Sequence, residues 1–360
     1  MFLDTFSLDG WRNYTKAGLQ FSPNVNFLIG DNGQGKTNLL EAVYFVCTGQ
    51  APRASRLHEL INWSGKYFFL RGMLRDSERD ICIESGLARD GRRVHKVDGV
   101  NMEKIAQLGE TVTAVFFMPQ DVDLVREGPG VRRRFLDIEI GQLSRQYKHT
   151  LSRYAEVLKE RNSLLRFRCK DEILLNVLTE KLVELYPPIA AQRQQFLSRL
   201  NSLTRLRHRT LSNNKENLEI IYKPSLAPEL SKEQALAEFE SLRKSELQYK
   251  KTLLGPHRDD FVIMINGVEL RSYGSQGQQR TAVLAIKLAE IELFRGQTGS
   301  YPLLLLDDVF SELDNSRKDL LLSYIQSKTQ TFITSAEPID AYKAARVFVV
   351  TNGNIQMKDD

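Results

Sequence analysis

The feature that most constrains the fold of this chain is a glycine-rich segment between an apolar run and a helical pattern. It reads Gly30-Asp31-Asn32-Gly33-Gln34-Gly35-Lys36-Thr37, with the spacing Gly-x4-Gly-Lys-Ser/Thr. Residues 25–29 predict a short buried strand, and residues 38–46 predict a helix with one apolar face. The glycines therefore lie at a strand-to-helix turn, as in an α/β fold.

This turn supplies the donors that phosphate oxygens need. Glycines let backbone N–H groups approach an anion, and the helix N-terminus adds its dipole. Lys36 is expected to reach the β- and γ-phosphates of a nucleotide, and the Thr37 hydroxyl to bind Mg²⁺. An ordinary glycine turn is the alternative, which the strand and helix context disfavours. The segment predicts a site for ATP and Mg²⁺.

A second apolar run ends in two acids. Leu303 to Leu306 predicts a strand buried on both faces, as in the middle of a parallel sheet, and Asp307 and Asp308 follow it. Such strands deliver polar residues at their carboxyl ends. We expect Asp307 to hold Mg²⁺, through water or Thr37, and Asp308 to orient the attacking water as a base. An Asp that caps a following helix is the alternative.

A third motif precedes the leucine strand. Ser275-Gln276-Gly277-Gln278 opens a predicted helix over 281–294, and its hydroxyl and backbone amides suit a phosphate. A segment with Glu312 and Asp314 follows the strand. The order of these motifs resembles the signature, Walker B strand and D-loop of the ABC ATPases, which assigns Asp314 to the D-loop. A solvated helix cap is the alternative for the glutamine-rich segment.

Composition favours a soluble protein of the cytoplasm. The 360 residues, 42% of them hydrophobic, suffice for one large or two ordinary domains. No apolar run approaches the ~20 residues of a membrane span, and the first residues predict a strand instead of a secretion signal. Three scattered cysteines predict neither disulfides nor a zinc site. A net charge of +5 permits a polyanionic partner.

The chain divides into strand-rich and helical parts. We expect an ATPase lobe from residues 1–120 and 252–360, and a helical lobe from residues 121–251. Apolar spacing predicts helices over 173–185 and 189–211, broken at Pro187 and Pro188, and another over 232–247. Residues 261–270 predict a hairpin with a type I′ turn. Without a sustained heptad, the insert can form a short arm but not a long coiled coil.

Further motifs make the resemblance more specific. They are Trp11 to Tyr14, Gly128-Pro129 with Arg132 to Asp137, Tyr154 with Leu158 to Asn162, and Leu254 to Asp260. With the three motifs above, they run from residue 11 to residue 314 and resemble the RecF family of bacterial repair proteins, in the SMC and Rad50 class of ABC ATPases. The resemblance implies an α/β, ABC-type ATPase head with a mixed sheet and an inserted helical lobe.

The resemblance also implies a function. RecF-like proteins would bind duplex DNA next to single-stranded gaps, in the nucleoid, and help RecR and RecO load the RecA recombinase. ATP would drive formation of a homodimer. In it, the signature residues Ser275, Gln276, Gly277 and Gln278 of one subunit would close on the ATP of the other, with Asp314 at the seam. By the same analogy Arg12 and Asn13 would lie near the nucleotide, and capping of the first hairpin is their alternative role.

Two positions depart from the pattern of ABC ATPases. A histidine usually follows the strand after the D-loop, whereas this chain offers only Ser335 there. Gln120 corresponds to the Q-loop glutamine that would contact Mg²⁺, although many relatives carry an acid at this position. We therefore expect slow, DNA-stimulated hydrolysis, with ATP used as a switch.

The predicted DNA surface consists of basic residues. The candidates are Arg132, Arg133, Arg134, Arg205, Arg207 and Arg209, together with Arg193, Arg199, Lys250 and Lys251. Duplex binding relies on many phosphate contacts, so this group predicts an affinity that falls steeply with salt. Solvated helix faces are the alternative for each single residue.

Two further interpretations complete the sequence analysis. His257, Asp259 and Asp260 predict structural hydrogen bonds more than a metal or acid-base site. An ABC-type regulatory ATPase of a transport or protein complex, with helices that bind protein instead of DNA, is the other function left open.

Overall fold

The computed structural model describes residues 1–76, 79–102, 112–167, 171–312, 318, 321, 329–336 and 345–358. Its contacts divide the chain into two compact units. The first consists of Met1–Asp121 with Glu290–Asp360, and the second is Val122–Ala289.

The strands in chain order are β1 (Phe2–Asp9), β2 (Lys16–Gln20), β3 (Val25–Ile29), β4 (Tyr67–Arg75), β5 (Asp80–Ala88), β6 (Arg93–Val97), β7 (Val100–Asn101), β8 (Ala114–Phe117), β9 (Leu218–Lys223), β10 (Asp260–Ile265), β11 (Val268–Glu269), β12 (Leu303–Asp307), β13 (Thr331–Ser335), β14 (Arg346–Thr351) and β15 (Asn354–Met357). The α-helices are α1 (Lys36–Thr48), α2 (Asp123–Arg126), α3 (Pro129–Leu143), α4 (Arg145–Phe167), α5 (Glu172–Leu211), α6 (Lys232–Ser241), α7 (Arg243–Tyr249), α8 (Leu270–Tyr273) and α9 (Gln276–Thr298).

The first unit is built on two sheets. One is antiparallel, with the strand order β2-β1-β4-β5-β6-β7. The other has the order β15-β14-β3-β13-β12-β8, in which β14 to β8 run parallel and β15 is an antiparallel edge. Every residue of β12 is buried, as the run of leucines predicts for a central strand.

Helix α1 contacts both sheets and forms the centre of the core of this unit. It touches β4 and β5 of the antiparallel sheet and β8, β12 and β13 of the parallel one. The aromatic rings of Trp11, Phe45 and Phe68 meet there with centroids 5.0–5.6 Å apart. Burial of each such ring stabilises the unit by roughly 1.5–3 kcal/mol. The core thus fixes the start of α1, where the phosphate loop ends.

The second unit is mainly helical. Its α5 has 40 residues, or about 60 Å at 1.5 Å per residue, and packs against α4, β9 and α6. A three-stranded antiparallel sheet, β11-β10-β9, completes the unit. Across the described ranges, every helix is too short or too polar to span a membrane.

Helix α5 corrects one sequence prediction. Pro187 and Pro188 lie inside it, whereas the sequence predicts a break at this point. Proline removes backbone hydrogen bonds from a helix interior, but residues on both sides of the pair, including Val183, Tyr186 and Ala190, are buried in one apolar cluster. This packing holds the two segments in line. In contrast, the predicted helix over 232–247 is interrupted at Leu242, between α6 and α7.

The hairpin agrees with the sequence prediction, whereas the boundary between the two units differs from it. The β10–β11 turn has positive φ at Asn266 and Gly267, +51° and +79°, which confirms the type I′ turn. The contacts place residues 252–289 with the helical unit, whereas the predicted lobe ended at residue 251. The pairing of β10 with β9 explains the grouping, since β9 packs on α5.

Candidate nucleotide site

The parallel sheet brings four predicted segments to one edge. The phosphate loop follows β3, Ser335 ends β13, Asp307 ends β12, and Gln120 lies in the short turn after β8. These strands are neighbours in the order β3-β13-β12-β8, and ligands of α/β sheets bind at the carboxyl ends of the strands. The edge therefore collects residues that the sequence separates by up to about 300 positions.

The phosphate loop adopts a backbone that only glycine fits at key positions. Gly30 and Gly35 have φ of +150° and +116°, and a Cβ on Gly30 would penetrate the Val350 carbonyl oxygen. Lys36 opens α1 and donates from Nζ to the carbonyl oxygens of Gly30 and Asp31. The ammonium group of Lys36 thus lies across the loop. Asp31, Asn32 and Gly33, in the middle of the loop, are exposed to solvent.

Neighbouring segments hold this loop in shape. Asn13 donates from Nδ2 to the Gln34 carbonyl oxygen at 3.0 Å, and the Tyr14 hydroxyl donates to that of Gly35 at 2.9 Å. From the other side, the β14–β15 turn donates to Gln34, with the Asn352 N–H reaching Oε1 at 2.6 Å. Asn13 therefore supports the phosphate loop, and its proximity to the nucleotide stays a prediction.

Arg12 contacts α1 instead of pointing freely into the site. Its guanidinium donates twice to Glu41 Oε2, at 2.7 and 3.0 Å, and the Glu41 side chain is fully buried. The backbone of Arg12 is left-handed, with φ of +51°. This ion pair ties the β1–β2 connection to α1. The predicted contact of Arg12 with the nucleotide stays a prediction.

Thr37 and Asp307 meet although 270 residues separate them. The Thr37 hydroxyl donates to Asp307 Oδ1 at 2.8 Å, and the Thr334 hydroxyl donates to the same oxygen at 2.9 Å. Asp307 is buried, and burial raises the pKa of its carboxyl while the two hydroxyl bonds lower it. A buried carboxylate beside a threonine hydroxyl offers hard oxygen ligands, which suit Mg²⁺.

Asp308 is turned away from Asp307. Its φ is +51°, and its backbone N–H donates to the Thr334 hydroxyl oxygen at 2.8 Å. This left-handed residue ends the strand geometry, so the two successive side chains have different surroundings. Asp307 is buried and Asp308 is exposed.

The sequence missed two residues of this site. Thr334 links both acids, and only the register of β12 against β13, which pairs Asp307 with Thr334, brings it there. Arg53 donates to the Asn38 side chain at 3.1 Å, and its positive charge lowers the pKa of Asp307. The sequence contained one signal for each residue: Thr334 is a hydroxyl residue next to Ser335, and Arg53 is an arginine soon after α1.

Of the three remaining residues predicted for this site, the structure describes two. Gln120 is exposed just after β8, at the same edge of the parallel sheet as Asp307. Ser335 is half-buried and pairs with Ile29, directly before the phosphate loop. Asp314 lies outside the described residues. The magnesium and sensor roles of these residues stay predictions.

The signature segment begins α9 with reciprocal hydrogen bonds. The Gln278 N–H donates to Ser275 Oγ at 3.2 Å, and the Ser275 N–H donates to Gln278 Oε1 at 2.9 Å. Gln278 Nε2 also donates to Glu216 at 2.8 Å. Ser275, Gln276 and Gly277 are exposed. The Ser275 hydroxyl is used here as an acceptor, which leaves its own hydrogen available as a donor.

Two of the predicted basic DNA residues are structural. Arg132 is only 5% exposed and forms a bidentate pair with Asp260 at 2.6 and 3.0 Å. Arg193 is 1% exposed and pairs with Asp137 and Asp259. Burial of these guanidinium groups corrects the prediction that they contact DNA, because each one is held inside its unit by ion pairs with acids of that unit.

The other arginines of the predicted surface reach solvent to different degrees. Arg133 is half-buried and donates to the Asp259 carbonyl oxygen at 2.9 Å. Arg205 and Arg207 are also half-buried, and Arg134 and Arg209 are exposed. Their DNA contacts stay predictions.

The cluster around His257 is a hydrogen-bonded structural element, as expected. His257 donates from Nε2 to the Thr252 carbonyl oxygen at 3.1 Å and accepts at Nδ1 from the Tyr154 hydroxyl at 3.0 Å. Burial lowers the pKa of His257 to about 4. Asp259 accepts from Arg193, Tyr222 and the Ser225 N–H. In the part of the chain that the structure describes, no group of three His, Cys, Asp or Glu residues is arranged to hold a metal.

Comparisons with known proteins give the relatives of this chain. Residues 2–358 match the family model described as RecF/RecN/SMC N terminal domain. The chain is 39% identical to the DNA replication and repair protein RecF of Listeria monocytogenes, over 99% of this chain and 100% of that protein. It is also similar to solved structures of the recombination mediator protein RecF in the RecFOR pathway, one as RecF-ATPrS and one as RecF-ATP. Their TM-scores are 0.93 and 0.92, at 35% identity, and each covers 99% of this chain and 98% of the solved one.

Proposed function

Because the chain belongs to the RecF family of ABC-type ATPase heads, we propose that it acts in DNA replication and recombinational repair as an ATP-dependent switch. The observation that carries this proposal is the hydrogen bond between Thr37 and Asp307. It joins the end of the phosphate loop to the end of β12, 270 residues later in the chain, which supports one shared site for phosphate and Mg²⁺. Relatives solved as RecF-ATP support ATP as the nucleotide.

The site residues take distinct chemical roles in this proposal. Lys36 and the backbone N–H groups of residues 30–37 bind phosphate, and Thr37, Asp307 and Gln120 hold Mg²⁺. The ion supplies positive charge that stabilises the phosphates during hydrolysis. Asp308 orients the attacking water as a base, which its exposed position permits. The sequence offers only Ser335 where a histidine sensor usually stands, so we propose that hydrolysis is slow, and DNA stimulation is a separate part of the proposal.

The active form is proposed to be an ATP-dependent homodimer. The signature of one subunit, Ser275 to Gln278, donates its serine hydroxyl and backbone N–H groups to the nucleotide of the other. Asp314 lines the seam between the subunits. The exposure of Ser275, Gln276 and Gly277 supports this role, since residues that act on a partner's ligand must be accessible in their own subunit.

The proposed ligand is duplex DNA, especially junctions with single strands. A net charge of +5 and the solvent-accessible arginines at 134, 205, 207 and 209 support a polyanionic partner. RecR and RecO, with the RecA pathway, are the proposed protein partners, because the solved relatives belong to the RecFOR pathway. The protein would work in the cytoplasm, associated with the nucleoid.

A regulatory ATPase of a transport or protein complex, without DNA binding, is the competing function. DNA binding by the wild type, Lys36→Ala and Ser275→Arg, measured with and without ATP, separates the two. The switch predicts that ATP strengthens wild-type binding and dimerisation, and that K36A loses both responses. Ser275→Arg should bind ATP yet remain monomeric and lose retention of DNA.

The same experiment contains its refutation. If the wild type binds ATP and dimerises but retains no DNA at low salt, the regulatory ATPase is the better function. If S275R dimerises as the wild type does, the signature does not act across the subunit interface.

A further inference from the structure

The two tryptophans of this chain have opposite environments. Trp11 is fully buried, whereas the side chain of Trp63 is 95% exposed. Trp63 lies in the loop of residues 62–67 in the first unit, and Tyr67 at the end of this loop is 48% exposed. Two exposed aromatic rings on one short loop offer stacking surface to a ligand, which a single exposed apolar residue would not indicate.

Hydrogen bonds fix the backbone of the loop that carries Trp63. Arg89 donates from its guanidinium to the carbonyl oxygens of Gly65, Asn62 and Trp63, at 2.9 to 3.4 Å. The Asn62 side chain donates to the Arg12 and Tyr14 carbonyl oxygens, and its Oδ1 accepts from both Ser64 N–H and Oγ. The exposed indole is therefore carried on a fixed backbone, so that binding a ligand orders little additional chain.

A basic turn lies directly beside this loop. The Arg89 N–H donates to the Lys66 carbonyl oxygen at 2.9 Å, which joins the loop to the β5–β6 turn. Within residues 62–67 and 88–93 the sequence places four cations and one acid; the cations are Lys66, Arg89, Arg92 and Arg93. Arg92 pairs with the single acid, Asp90. Asp9, whose carboxylate accepts from the Tyr67 hydroxyl at 3.4 Å, is a second acid nearby, and the four cations still outnumber the two acids.

We propose that Trp63 stacks on an unpaired base of single-stranded DNA, while the adjacent cations attract its phosphates. An aromatic ring beside positive charge is the combination that binds single strands without sequence preference. Duplex bases are already stacked on each other and offer no free face, so the indole distinguishes a single strand from a duplex. This site rests on the proposed DNA-binding function and adds to it a contact for the single-stranded side of a junction.

Tryptophan fluorescence tests the contact directly, since Trp63 is one of two tryptophans and the exposed one. We expect a twelve-residue oligo-dT, or a gapped duplex, to quench the emission and shield it from acrylamide. The same concentrations should raise the anisotropy of labelled DNA. A blunt duplex should bind without this quenching. The nucleotide-bound wild type is the protein to use.

Substitutions separate stacking from charge. Trp63→Ala should weaken oligo-dT and gapped-duplex binding roughly 5- to 100-fold, the effect of one lost stack, and leave blunt-duplex affinity unchanged. Trp63→Phe should restore part of the affinity. Phe167→Ala removes another exposed aromatic ring, 82% exposed on α4, and should change none of these affinities.

The outcomes distinguish this proposal from the proposed function. If W63A binds gapped duplex as tightly as the wild type, and Trp63 emission does not respond, the stacking site is wrong while duplex binding stands. If W63A keeps oligo-dT affinity but loses binding to purified RecR, the surface is a protein docking site and the proposal is overturned. If the wild type binds none of the DNA ligands, the DNA-binding function itself fails.

Discussion

Substitution of Asp307 by Asn isolates what its buried charge does. Asp307 Oδ1 accepts from Thr37 and Thr334 at 2.8 and 2.9 Å, and an amide oxygen can accept both bonds, although more weakly than a carboxylate. D307N therefore keeps the local hydrogen bonds and loses the negative charge. Because burial raises the pKa of this carboxyl, the nucleotide-free variant should be as stable as the wild type or up to about 1 kcal/mol more stable.

With Mg²⁺ and ATP bound, the wild type should become more stable than D307N. A ligand at 100 times its dissociation constant stabilises the folded protein by about 2.7 kcal/mol. For domains of about 150–250 residues this corresponds to a rise in Tm of roughly 5 to 10 °C. The wild type should show this rise with Mg²⁺ and ATP. D307N should lose most of it, because an amide is a much weaker ligand than a carboxylate for a hard cation.

Thermal unfolding in the presence and absence of Mg²⁺ and ATP measures both effects, and Asp308→Asn is the matched control. Asp308 is exposed and left-handed, and asparagine adopts that conformation readily. D308N should keep the full rise in Tm and hydrolyse ATP more slowly. If Mg²⁺ and ATP raise the Tm of D307N as much as that of the wild type, Asp307 is not a ligand of Mg²⁺. A nucleotide-free loss above about 2 kcal/mol would refute the argument about its charge.

Two further predictions concern backbone and pH. Gly30→Ala should destabilise the nucleotide-free protein by about 3 kcal/mol or more, because its Cβ would penetrate the Val350 carbonyl, whereas Gly33→Ala, with open space around it, should cost only about 1–2 kcal/mol. Equal losses of unfolding free energy in urea would contradict this explanation. The depressed folded pKa of His257, about 4, means that the unfolded state takes up its proton first as the pH falls below about 6.5. Stability from this residue is thus present above pH 6.5 and should decline by roughly 2 kcal/mol by pH 4.5, and H257Q should flatten that decline; an unchanged slope in denaturant titrations would contradict it.

Local patterns in the sequence predicted the phosphate loop, the buried β12 and the type I′ hairpin, because each depends on residues close together in the chain. The ATPase-head fold is confirmed by the family match and the solved relatives. Contacts between residues that are far apart in the chain could not be predicted from the sequence. Arg132 looks like a surface cation until β10 brings Asp260, 128 residues away, into contact with it. Thr334 joins the site only through the register of β13, and Pro187 is tolerated only because α5 packs on both sides of it.

The pair Asp307 and Asp308 shows how one strand end can supply two different carboxylates. A left-handed backbone costs a non-glycine residue about 1–2 kcal/mol, and the hydrogen bond from the Asp308 N–H to Thr334 partly offsets it. The turn buries the first side chain beside Thr37 and leaves the second in solvent. Neighbouring acids in different environments divide chemical roles between them, as a ligand and a base must. Thr334 contacts both residues, so loss of its hydroxyl should disturb both proposed roles at once, through the carboxylate of one and the backbone of the other.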